Sequence, residues 1–312
     1  MKTIINKNAI KTWALLLRLP FQFSGVFPFL VGSILAFHTV KVFNLPVFLL
    51  GLTAVILIMS STNLNGEIYD IIEDRLSAKS GKNPFSGGSQ VVVDGIVSPK
   101  KVNFASLIAI ISAFLIGLTL QFYFKTGPWT IPLGLTGIIA GFYYSKPPLR
   151  WVKRGVGELF IAYSFGWLPV VVGFYLQAGG INALAHRISL PISCSIFNVV
   201  LINEFLDYPA DIQADKRNLV VRLGKNKAAA IYAIVAIIGM VTFLVSLSKG
   251  VPLAAGLFYL PVGILSLVVI LMVVSGKFNN RVLLEKICLI TILVNLGTNI
   301  VYIAGLLILK GR

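Results

Sequence analysis

Nine long apolar stretches, separated by short polar connections, set the pattern of this chain. They cover residues 13–37, 43–66, 102–124, 128–145, 154–177, 185–206, 226–248, 252–275 and 286–309. Each approaches the roughly 20 apolar residues that a helix needs to cross a bilayer core. The pattern predicts an all-α fold: a multispanning membrane helical bundle of about nine transmembrane helices, one domain over residues 1–312 with no soluble appendage. No small-residue cleavage site follows the first stretch and comparable spans come after it, so it reads as part of the fold. Prolines fall within many spans (Pro20, Pro28, Pro46, Pro132, Pro169, Pro191, Pro261), as is common where neighbouring helices re-satisfy freed backbone groups.

Composition supports this: 57% of the 312 residues are apolar and 12% charged. The 27 Lys and Arg also orient the bundle. Arg18 sits within the first span, and Lys41, Lys125, Arg187, Lys249, Lys310 and Arg312 fall toward one side. The rest lie in the N-terminal tail and the loops after spans 2, 4, 6 and 8. By the positive-inside rule the N-terminus faces the cytoplasm of a cell-membrane protein and the C-terminus faces out. The net charge of +16 is spread over short loops, which suits membrane lipid headgroups and an anionic substrate and argues against nucleic acid as a partner. Cys194 and Cys288 lie in spans without metal-ligand spacing and read as packing residues.

The acidic residues are concentrated. Of 11, eight lie in or just after two blocks: Glu67, Asp70, Glu73 and Asp74 in residues 66–74, and Glu204, Asp207, Asp211 and Asp215 in and after residues 203–211. The blocks align without a gap at an offset of 137 residues. Each carries Glu-x-x-Asp-x-x-x-Asp at the end of an apolar span, and both fall on the cytoplasmic side. Matching blocks followed by matching long loops (74–101 and 207–225) imply two parallel pseudo-repeats, about 13–145 and 154–275, around a central cavity, plus a final helix 286–309. Carboxylates at membrane depth are costly and mark a site.

Asp70 and Asp74 are four apart, as are Asp207 and Asp211, with Asn203 four before; on a helix each set shares a face. Two such faces across a cavity suit Mg²⁺, held by Asp70, Asp74, Asn203, Asp207 and Asp211 with positions left for phosphate oxygens. A diphosphate bridged by the metal fits that arrangement. Arg75, Lys79 and Lys82 follow the first block, and Lys216, Arg217 and Arg222 the second; Lys216 and Arg217 lie best placed for diphosphate oxygens. Residues 83–89 (Asn-Pro-Phe-Ser-Gly-Gly-Ser) read either as a lid over the cavity or as a plain connector. Tyr143 and Tyr144, before Ser145-Lys146-Pro147-Pro148, read either as ring faces for a carbocation or as interfacial aromatics. Glu158 either enters the same cavity or pairs with Lys153 or Arg154. His38 and His186 fall on the far side.

At these residues the chain resembles the UbiA superfamily of intramembrane prenyltransferases over nearly its full length. Asn203, Asp207 and Asp211, with the following residues 216–224, fit that family's second metal motif. Tyr144-Ser145 with Pro147-Pro148 is similar to its Tyr-Ser/Thr-x-Pro-Pro element, and Arg18 in Leu17-Arg18-Leu19-Pro20 to an Arg near the start of span 1. The first motif departs: Gly66 stands at the usual Asn position, with Asn63 and Asn65 out of register. Residues 155–160, Phe165-Gly166 and residues 203–207 look most like the branch that prenylates 1,4-dihydroxy-2-naphthoate in menaquinone biosynthesis.

The resemblance implies a Mg²⁺-dependent prenyltransferase acting on an isoprenyl diphosphate and a lipophilic acceptor. Asp70, Asp74, Asp207 and Asp211 would be catalytic, and Arg18, Lys79, Tyr143, Tyr144, Ser145, Lys216 and Arg217 would contact substrate. Relatives that use glycerol-ether lipid, 4-hydroxybenzoate, haem or carotenoid acceptors share the metal motifs. A transporter using the acids as an ion path, and a non-catalytic lipid-binding homologue, are the readings from other classes.

Overall fold

The first predicted span is broken at Arg18, whose left-handed backbone (φ 47°, ψ 52°) separates α1 (Lys2–Leu16) from α2 (Leu19–Val40). Pro20 restarts the helix, its fixed φ suiting the first turn. The computed structural model describes residues 2–41, 43–79 and 85–308, with side chains from residue 9 onward. After α2 come α3 (Leu45–Tyr69), α4 (Ile71–Lys79), α5 (Pro99–Leu118), α6 (Thr130–Phe142), α7 (Gly157–Ile161), α8 (Leu168–Ala178), α9 (Ala183–Gln213), α10 (Leu219–Leu223), α11 (Lys225–Leu247), α12 (Leu253–Val274) and α13 (Arg281–Ile308). There is no strand among the described residues.

Among the described residues, eight helical segments are long and apolar enough to cross a membrane. Two of them include π-helical turns: Thr119–Tyr123 extends α5, and Ala162–Trp167 joins α7 to α8. The fourth predicted span, 128–145, is the 13-residue α6. Pro128 before it and the Pro147-Pro148 pair after it keep the flanking residues out of the helix. The sixth span is longer than its apolar stretch: α9 continues to Gln213 and carries the whole second acidic block. The last helix starts at Arg281, earlier than predicted. Residue 309, Lys310 and Arg312 lie outside the described residues.

Asparagine side chains start α3, α9 and α10: Asn44 accepts from Val47 N at 3.1 Å, Asn182 from Leu184 N at 2.7 Å and Asn218 from Val221 N at 2.8 Å. In lipid the hydrophobic effect does not drive helices together, so close backbone approach must. α2 and α8 cross where Gly32 meets the Val170 carbonyl and Gly173 meets the Phe29 carbonyl, with no room for a side chain at either. Ser33 Oγ donates across this crossing to the Gly173 carbonyl at 3.3 Å. The exterior is apolar, as on α12, where Leu253 is 77% and Leu257 71% exposed. Such a surface suits lipid.

Candidate active site

The two acidic blocks come from different backbones. The first is cut by Asp70, which caps α3 with φ −108° and ψ 19° and hands over to α4. The second stays helical throughout. Together they line one cavity of about 1110 Å³, open to solvent, whose walls include Asp70, Asp74, Asn203, Glu204, Asp207 and Lys216.

Asp70, Glu73, Asp207 and Asp211 are each answered individually. Asp70 accepts from Ser145 Oγ at 2.6 Å and pairs with Arg150 at 3.5 Å. Arg150 also donates to the Tyr69 carbonyl at 2.8 Å, so it grips the break between α3 and α4. Glu73, behind that break, pairs with Lys153 at 2.6 Å. Asp207 accepts from Ser77 Oγ at 2.6 Å and Ser86 Oγ at 2.9 Å. Asp211 is held by Asn218 at 2.7 Å and by Lys216 at 3.4 Å.

Burial pushes the Asp70 carboxyl above its ordinary range against the opposing pull of Lys216, and pushes Asp74 up to about 8, with Arg18 opposing. Burial works against the charge on Lys216, but Asp211, Asp70 and Asp207 outweigh it and hold the ammonium protonated well above its usual range. Lys216 therefore feels the charge of both acidic blocks at once. Burial, then Glu204 and Glu158, raise the Tyr144 hydroxyl well above the phenolic range.

The segment after α4 closes over this cavity. Phe85, Ser86, Gly87 and Gly88 line it; Asn83, Pro84 and Lys82 lie outside the described residues. Ser89 donates from N and Oγ to Glu67 at 2.7 and 2.6 Å. Gly88 needs its missing side chain, because a Cβ there would run into the Asp74 carboxylate, and its φ of +66° favours glycine in any case.

Several sequence-predicted residues stand apart. Arg217 pairs with Asp215 at 2.9 Å and is two-thirds exposed, away from the cavity that Lys216 lines; the turn after Asp211 points the two neighbours opposite ways. Lys79 ends α4 exposed. Tyr143 caps α6 and packs edge-on to Phe142, leaving Tyr144 as the cavity tyrosine. Asp211 is behind the cavity wall, not in it. Glu158 accepts from Leu219 N at 2.8 Å at the start of α10, and Lys153 serves Glu73 instead. Arg18 and Ser145 line the cavity. Sequence reasoning missed Arg150 and Ser77, and gave Ser86 only as part of the segment 83–89. Ser77 had a signal, lying three residues after Asp74 on the same short helix; Arg150 had none, since a loop delivers it.

A second, apolar chamber of about 860 Å³ lies among α3, α5, α6 and α8 and shares Thr62 and Phe165 with the acidic cavity. Among the described residues no three acidic, His or Cys side chains converge tightly enough to hold a metal unaided. The donor set nevertheless fits a hard cation that completes its shell with phosphate oxygens. Asn203 Oδ1 is buried in the cavity wall with no hydrogen-bond partner, and an orphaned oxygen beside carboxylates is suited to a metal.

The sequence profile of the UbiA prenyltransferase family matches residues 25–307. The 1,4-dihydroxy-2-naphthoate octaprenyltransferase of Bacillus subtilis is 29% identical over 66% of this chain and 64% of its own length. The 2-carboxy-1,4-naphthoquinone phytyltransferase of Synechocystis is 27% identical over 69% of this chain and 66% of its own. The chain thus spans just under two thirds of the length of these relatives. A UbiA homologue from Archaeoglobus fulgidus, solved bound to DMAPP and Mg²⁺, shares the fold at a TM-score of 0.62 and 15% identity, covering 93% of this chain and 99% of that one.

Proposed function

Because the chain belongs to the UbiA prenyltransferase family, we propose that it transfers an isoprenyl group from its diphosphate to an aromatic quinone precursor such as 1,4-dihydroxy-2-naphthoate. One observation carries this reading: an acid-walled cavity holding Lys216 shares two wall residues with an apolar chamber. A diphosphate head and an isoprenoid tail need those two environments side by side. The bacterial and cyanobacterial relatives support a naphthoate-type acceptor, and the archaeal neighbour's ligands support an isoprenyl diphosphate held together with Mg²⁺.

Asp70, Asp74 and Asp207, with Asn203 Oδ1, would hold Mg²⁺, which neutralises charge on the leaving diphosphate when bound. Asp211 fixes Lys216 rather than binding metal. Lys216 and Arg18 donate to diphosphate oxygens, stabilising the charge that grows there as the allylic C–O bond ionises. Ser145 and Arg150 aim Asp70. The Tyr144 ring faces the cationic carbon, and the apolar chamber keeps water from it. The acceptor's electron-rich carbon forms the new bond, then loses its proton or carboxylate.

The tail lies along α3 from Thr62 to Gly51, a descent of about 16 Å at the helical rise. That is about three to four extended isoprenoid units by bond geometry. The cavity opens to the cytoplasm, where soluble diphosphates are made, as the loop charges argue. Membranes containing the protein, incubated with Mg²⁺, labelled farnesyl or geranylgeranyl diphosphate and a panel of acceptors, should release diphosphate in step with a prenylated naphthoate. No diphosphate release with any acceptor or tail length would refute the reading.

A further inference from the structure

Two asparagines beside the first acidic block fall out of register with Asn203 of the second, and the structure gives them different surroundings. Asn65 is fully buried, donating from Nδ2 to the Phe142 carbonyl at 3.1 Å and accepting from Ser106 Oγ at 3.0 Å. Asn63 instead lines the acidic cavity next to Thr62, a residue that this cavity shares with the apolar chamber. No step of the proposed transfer uses it.

Asn63 is held by its amino end. Nδ2 donates at 3.0 Å to the Leu17 carbonyl, which the left-handed break at Arg18 keeps out of the α2 ladder, and Gln22 Nε2 donates to the same oxygen at 3.1 Å. A carbonyl can only accept, so the amino end must face it and Oδ1 is the end left for the cavity. Oδ1 accepts from no group among the described residues. Donation through Nδ2 polarises the amide and adds negative charge to Oδ1.

We propose that Asn63 is a catalytic residue whose fixed amide oxygen stabilises the positive charge that grows on the allylic carbon as the diphosphate leaves. The proposal rests on the prenyl-transfer reading. Asn63 lies about 10 Å from Asp70 along α3 at the helical rise. Two metal–oxygen bonds and the phosphoester bridge span most of that length from Asp70. The allylic carbon is thereby set beside Asn63, at the Thr62 threshold where the tail begins.

There the C–O bond breaks with its electron pair going to the diphosphate. The acceptor carbon's electron pair then fills the cationic centre, and the acceptor releases a proton or CO₂. A dipole already aimed at that carbon needs no reorganisation at the moment of reaction. At the matching turn of α9, 137 residues on, stands Val200, and with Ile196 and Val199 it keeps the second wall apolar. In so apolar a setting a carbonyl dipole acts strongly. Tyr144 offers a ring face to the same charge, and Asn63 adds a lone pair.

Two probes separate a group that meets the cation from one that only shapes the wall. Farnesyl thio-diphosphate keeps its C–S bond and resembles the ground state, whereas farnesyl amine with inorganic diphosphate puts an ammonium where the cation forms. By calorimetry in phosphatidylcholine nanodiscs with Mg²⁺, Asn63→Leu should weaken the amine about tenfold or more and the thio-diphosphate by less than about twofold. In turnover, kcat should fall about 10–100-fold with KM for the prenyl diphosphate unchanged. Asn63→Thr, which retains a donor for the Leu17 carbonyl, should do the same. Gln22→Leu loosens that carbonyl from outside the cavity and should leave the amine's affinity unchanged. Equal weakening of both probes, no weakening of the amine, or the same loss in Gln22→Leu overturns the role. A wild type that binds neither probe and releases no diphosphate fails the prenyl-transfer reading; a wild type that binds both, with indifferent variants, fails Asn63 alone.

Discussion

The first acidic block bends at Asp70 between α3 and α4, whereas the second runs on unbroken along α9, although both have the same spacing. The consequences differ. On a continuous helix the i, i+4 rule alone puts Asn203 and Asp207 side by side at the cavity, while Asp211, a turn further on, meets Asn218 and Lys216 behind the wall. At a break it does not, and the carboxylates must be aimed by other parts of the chain. Asp70 takes its direction from Ser145 and Arg150, which arrive on the loop after α6, and Asp74 is shaped by the covering segment at Gly88. The second block leans on the first for its answer: both hydroxyls on Asp207 come from the α4 side. Equal sequence motifs thus become a self-organised wall and an assembled one.

The comparison can be broken outright. Asp70→Ala and Asp207→Ala should each lower turnover by about 10²–10³-fold or more, as losing a group that organises transition-state charge does. Diphosphate release measures this, with thermal unfolding in detergent confirming a folded protein; near wild-type turnover in either would unseat the metal assignment. Arg150→Met should damage the assembled wall alone. We expect the Mg²⁺ concentration for half-maximal rate to rise about 10–100-fold, the usual effect of removing a group that orients a ligand, with Arg150→Lys recovering part of it. A loss of kcat with unchanged Mg²⁺ dependence would give Arg150 a different role.

A pH series probes the same wall without mutation. Asp74 gives up its proton near pH 8, and a cation must displace that proton. Half-saturating Mg²⁺ should therefore fall as pH rises toward about 8 and level off above it; a flat profile would remove Asp74 from the metal. The gentlest probe makes the first block more like the second. Gly66→Asn meets only ordinary contacts, with Asp70 Oδ2 and Ser145 Oγ both at 3.9 Å. One added amide ligand should lower half-saturating Mg²⁺ by about threefold.

Eight of the nine spans, the acid spacing and the Tyr144-Ser145 element were legible in the chain because each is local. Span length follows from bilayer thickness, and a carboxylate row follows from helical period wherever the helix is unbroken. Arg18 and Lys216 were legible as charges set near those rows. The opposite fates of Lys216 and Arg217, neighbours with the same charge, were not: the turn after α9 sends one into the cavity and the other to Asp215.

By itself, then, the sequence determined that the protein is a helical membrane bundle and which carboxylates it gathers at one face. Tertiary structure alone decided that Arg150 grips the break at Tyr69, that serines from one block answer an aspartate of the other, and that a covering segment closes over the acidic cavity. The physical reason is range. Hydrophobic period and helical spacing act within a few residues of a position, but a buried charge is answered by whatever groups the folded chain brings within a few ångströms, and that is a property of packing.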